Sequence, residues 1–129
     1  MTEPTSPLQI PEYRRFWLAR LLAVFSTVTM VVLIGYQTYD LARSAYGMSP
    51  RDAAFILGLL GAAQFVPLAL LTPVAGVVAD RFDRRYVVLC ATVADALIAL
   101  TVAVATLNDW LSLPLLFTLA AAHGAARVF

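Results

Sequence analysis

Four runs of uncharged, mostly apolar residues organise the chain. Leu21–Tyr39 holds 19 residues without a charge and is extended backwards by Phe16–Ala19 ahead of Arg20. Ala53–Ala79 holds 27, Tyr86–Leu107 is interrupted by the single charge of Asp95, and Trp110–Ala126 ends at Arg127. A helix needs about 20 apolar residues to cross a hydrocarbon core of roughly 30 Å. The pattern therefore predicts an all-α fold, an integral membrane helical bundle of four transmembrane helices at about 16–39, 53–79, 86–107 and 110–127. At ~1.5 Å per residue the second run measures about 40 Å. That excess requires tilt, bending at Pro67 or Pro73, or a first turn outside the lipid. The links 40–52, 80–85 and 108–109 are short, so neighbouring helices are expected antiparallel, as two hairpins packed together. The first run is longer than the apolar core of a secretory signal, about 7–15 residues, and is read as retained.

Composition agrees with lipid as the main solvent. Of 129 residues, 61% are hydrophobic and only 13% charged, against about 25% charged in soluble domains. A net charge of +1, with no basic patch outside the short loops, excludes a nucleic-acid partner. All nine basic residues are arginine, whose weakly hydrated fork suits headgroup-level contacts. Their distribution sets an orientation. Arg14, Arg15 and Arg20 precede the first run and Arg81, Arg84 and Arg85 fill the second link, whereas only Arg43 and Arg51 fall on the other side. This predicts a cytoplasmic N-terminus in the inner (cell) membrane, with 80–85 also cytoplasmic. Residues 1–12, rich in proline and small polar residues, are expected as a mobile cytoplasmic tail. Cys90 stands alone, so no disulfide framework exists.

The second link is the most specific stretch of the chain. Gly76-Val77-Val78-Ala79-Asp80-Arg81-Phe82-Asp83-Arg84-Arg85 resembles the loop between spans two and three of the major facilitator superfamily, Gly-x-Leu-Ala-Asp-Arg-x-Gly-Arg-Arg/Lys. Gly76, Ala79, Asp80, Arg81, Arg84 and Arg85 match in place; Val78 replaces Leu, and Asp83 replaces Gly. The Asp-Arg-Phe-Asp-Arg-Arg version, with Tyr13–Leu18 and Gly58–Pro67, is similar to the enterobactin-exporter-like branch of drug and siderophore efflux proteins. The resemblance implies a partial N-terminal half of a transporter built from two pseudo-symmetric six-helix halves. It implies an N-terminal fragment of about four spans whose partners are the missing helices, the lipid bilayer and a small-molecule substrate. It also implies a gating role for Gly76, Asp80, Arg81, Asp83, Arg84 and Arg85, with the acid latching one conformation. Asp80 closes a helix at its partially negative end, where a carboxylate is unfavourable unless a cation answers it. Headgroup anchoring explains the arginines equally well but gives no reason for the acid.

Within the spans, Asp95 lies about 14 Å beyond Tyr86. A charge at that depth costs on the order of 3 kcal/mol, so it pairs, protonates or faces water. Arg127 is the expected partner. His123, one turn before Arg127, is a further proton-relay or ion-pair candidate, a packing histidine being its ordinary alternative. Ser26, Thr29, Tyr36 and Gln37 share an arc of the first helix and are cavity-lining candidates, as is Gln64, though interhelical hydrogen bonds explain such a stripe as well. Ala54, Gly58, Gly61, Ala62, Ala69, Thr72, Gly76 and Ala79 crowd one face of the second helix and read as a packing seam. No metal-ligand cluster, nucleophile beside a base, phosphate-cradling loop or cofactor box is present, so neither an enzyme nor a cofactor is expected. The functional expectation is secondary active, proton-coupled efflux of small amphipathic molecules or siderophores. The alternative is a self-contained four-span accessory or assembly protein.

Overall fold

The computed structural model describes residues 7–129, and every regular element among them is helical. A 3-10 turn at Pro7–Gln9 precedes α1 (Pro11–Ser44), α2 (Pro50–Arg81), α3 (Arg84–Leu107) and α4 (Leu113–Ala126). Regular structure thus begins inside the expected 1–12 tail; residues 1–6 lie outside the described residues. α1, α2 and α3 are long and apolar enough to cross a membrane, whereas α4 has 14 residues. At ~1.5 Å per residue α4 is about 21 Å long, short of a full hydrocarbon crossing. Most of the apolar surface faces outward: only 6–11% of each long helix's most apolar stretch is buried. Phe25, Phe65, Leu70 and Leu100 are among the side chains left for lipid.

Helix ends follow local chemistry. Ser49 caps α2, its Oγ accepting from the Asp52 amide at 3.2 Å and donating to the Asp52 carboxylate at 2.7 Å, with Pro50 in the first turn. Gly47, at φ 60°, turns the chain ahead of it, and Arg43 donates to the Met48 carbonyl across the same link. α2 passes through Pro67 and Pro73 without interruption and stops at Phe82. Asp83 then starts α3 at once, its carboxylate accepting from the Arg85 amide at 2.9 Å. At the far end of α3, Asn108 donates to the Val104 carbonyl, Asp109 adopts φ 56°, and the Trp110 amide donates to the Ala105 carbonyl. Trp110 therefore belongs to the exit of α3, and α4 cannot begin before Leu113.

The chain divides into two compact units, Met1–Leu33 and Ile34–Phe129, with the division inside α1. The second unit holds most of the core. Ile34, Thr38 and Ala42 of α1, Ala53 and Leu60 of α2, Ile98, Val102 and Ala105 of α3, and Leu113, Leu116 and Ala120 of α4 are buried. These positions all lie toward the ends of the helices away from the Phe82–Asp83 turn. Threonine hydroxyls do not disturb the packing: Thr38, Thr72, Thr92, Thr101, Thr106 and Thr118 each donate to the carbonyl four residues earlier. Sequence neighbours are not the closest neighbours in space. α4 packs chiefly against α2 and then α3, while α2 and α3 approach each other only slightly. The expected pair of hairpins is replaced by an arrangement in which α4 is the shared partner.

Candidate functional site

The close approach of α4 to α2 is made possible by Gly124. A Cβ at this position would overlap the Gln64 carbonyl oxygen and stand 2.9 Å from its carbonyl carbon and 3.0 Å from its Cα. Gly58, Gly61 and Gly76 of the predicted α2 seam, by contrast, face open space. The glycine that joins these helices is therefore on α4, opposite a glutamine, and not in the α2 stripe.

Fixing Gly124 against Gln64 buries His123, which is 1% exposed. Its Nδ1 lies 2.9 Å from Oδ1 of Asp95 on α3, the one ion-pair contact among the described residues. Asp95 keeps 31% of its side chain exposed. An ionised carboxylate can only accept, so beside it Nδ1 carries the hydrogen and donates. Nε2 of His123 is fully buried and has no hydrogen-bond partner. The geometry offers a carboxylate–imidazole pair between α3 and α4, one nitrogen of which is unsatisfied.

Arg127, the expected partner of Asp95, sits elsewhere. It caps the C-terminal end of α4, is exposed, and lines a cavity of about 660 Å³ with Thr72, Gly76, Asp80, Arg84 and Phe129. Asp80 forms no ion pair among the described residues, and Arg81, Asp83, Arg84 and Arg85 are all exposed. A second, almost wholly apolar groove of about 600 Å³ runs beside it, lined by Phe82, Tyr86, Cys90, Ala91, Ala94 and Ala122 among others.

The remaining polar positions are placed separately. Gln37 of α1 donates through Nε2 to Thr106 Oγ1 of α3 at 2.9 Å, and its Oε1 is buried without a donor. Ser26, Thr29 and Tyr36 are exposed. Gln64 is half-buried. Counting outward from Trp110, the midpoint of the turn between α3 and α4, does not single out His123: Asp95 stands fifteen positions away, His123 thirteen and Arg127 seventeen.

The model for the transmembrane secretion effector, of major facilitator type, matches residues 2–128. The chain belongs to the transmembrane secretion effector family. It is an integral membrane protein of transporter type. No curated protein and no solved structure matches it.

Proposed function

We propose that this secretion effector exports small amphipathic molecules, drug-like compounds or siderophores, by secondary active transport driven by protons. The observation that supports the reading is the Asp95–His123 pair. It is the single ion-pair contact among the described residues, lies between two apolar helices, and joins a carboxylate to an imidazole, two groups able to carry a proton. A bundle needing only stability gains little from such a pair, since hydrophobic replacements are often as stable. The N-terminus and the Asp80–Arg85 turn face the cytoplasm of the cell membrane in this reading, as the arginine distribution directs. Asp80, Arg81, Arg84 and Arg85 then latch one conformation against helices of the other half. Arg127, lining the same cavity as Asp80 and Arg84, adds a second cation there. Gln37 and Gln64 offer hydrogen bonds to substrate.

The test is proton-driven export from cells or everted vesicles carrying the transporter with Asp95→Asn. The variant is expected to insert normally and to export no more than membranes lacking the protein. Undiminished export would remove Asp95 from the mechanism.

A further inference from the structure

We propose that Nε2 of His123 is a proton-binding site gated by the α2–α4 contact, so that proton uptake loosens α4 from α2. The inference deepens the proton-coupled reading above and, within it, names the atom on which the driving proton rests.

Proton counting carries the argument. With one proton on the pair and Asp95 ionised, Nδ1–H donates to Oδ1 and Nε2 is bare. A second proton on Oδ2 of the part-exposed Asp95 would leave Nε2 bare, whereas one that reaches the ring or the shared contact has two placements. Either the imidazole becomes a cation beside the carboxylate, or the shared hydrogen moves to Oδ1 and the neutral ring carries its hydrogen on Nε2. Both put an N–H at Nε2. That atom is buried and faces no acceptor. A bare nitrogen tolerates this better than an N–H does, above all an N–H on a cation, because an unsatisfied buried donor forfeits its full hydration.

The relief lies one residue away. Gly124 meets the backbone of Gln64 with no side chain between them, so a small separation of the helices admits water to Nε2. No other charge competes for the role. Asp95 is the titratable group that α3 brings to the ring, and α2 has none between Asp52 and Asp80. The nearest groups on α1, Tyr36 and Tyr39, are exposed, and on α4 itself Arg127 is one turn further on and exposed. Asp95 is thus a positioning residue: it holds the hydrogen on Nδ1 and leaves Nε2 as the base.

His123 is the sole histidine of the chain, so nitrogen NMR of the full chain labelled at histidine, in lipid nanodiscs, reads it without assignment. Expected are a hydrogen on Nδ1 and a bare Nε2 in the alkaline form. Asp95→Asn should free the ring to carry its hydrogen on either nitrogen, with Asp95→Glu restoring the hydrogen to Nδ1. Gly124→Ala, which wedges the helices apart, should expose Nε2 to water and shift its nitrogen resonance accordingly. Should that variant not fold, spin labels at Val77→Cys and Ala122→Cys in a Cys90→Ser background decide the matter. Their separation should lengthen across the titration and stay constant in His123→Gln. A hydrogen found on Nε2 in the alkaline form, a tautomer indifferent to Asp95→Asn, or a label distance that ignores protonation overturns the inference. The coupling reading fails separately, when export survives Asp95→Asn while His123 titrates as expected.

Discussion

The two ends of the Ile34–Phe129 unit are built on opposite terms. Away from the Phe82–Asp83 turn, four helices close a core of Ile34, Leu60, Val102 and Leu116 with no charged side chain inside it. Around the turn, Asp80, Arg84 and Arg127 line one cavity and a ring of alanines lines the adjoining apolar groove. The closed end is specified by packing, with the Gln37–Thr106 hydrogen bond between α1 and α3 beside it. At the open end charges line a cavity, and charges beside a membrane serve position or motion more than cohesion. Asp95 and His123 lie between these regions, where a polar pair is dry enough to matter and near enough to open space to respond. The contrast teaches that stability and mechanism are separated along the helix axes, with Gly124 at the border.

Breaking that border has the largest expected effect. Gly124→Leu drives a side chain into the Gln64 backbone and should destabilise the chain by about 3 kcal/mol or more, Gly124→Ala by about 1–3 kcal/mol. Gly58→Ala and Gly61→Ala meet open space and should leave stability unchanged or raise it by up to about 1 kcal/mol. Unfolding in mixed micelles checks both, and equal losses at all three glycines would erase the distinction between the two faces.

The Asp95–His123 pair comes next. A double-mutant cycle with Asp95→Asn and His123→Gln should return a coupling energy of about 1–2 kcal/mol. Additive single effects would show that the 2.9 Å contact does not hold the helices.

These contacts differ in how far residues alone disclosed them. Uncharged runs located every helix, because in lipid a backbone has to satisfy its own hydrogen bonds. Helix limits were less legible. α1 runs through Arg14, Arg15, Arg20, Asp40 and Arg43, since charges at a membrane edge do not end a helix; Gly47 and Pro50 do. α4 is shorter than its apolar run because the turn through Asp109 assigns Trp110 to α3. The preference of α4 for α2 was hidden for a different reason. An apolar helix in lipid shows no polar face, so periodicity cannot say which side meets a neighbour. His123 was visible as a proton-bearing candidate, yet Arg127 looked the better partner by charge, and counting outward from the middle of the turn does not separate the two.

The smallest effect concerns the open end. Asp83 stands where the resembling loop pattern has glycine, and in the structure it caps α3 through the Arg85 amide. Asp83→Ala should cost about 1 kcal/mol, and Asp83→Gly only a few tenths. Unfolding of the two variants in the same micelles checks this, and equal stability of Asp83→Ala and the parent would show that the turn needs no cap.

Coupling leaves a trace in bulk pH. In weakly buffered liposomes carrying the transporter, addition of substrate should release protons in step with binding, and the release should vanish in Asp95→Asn. Substrate binding with no pH change in either protein would contradict a proton-driven exporter built on Asp95 and His123.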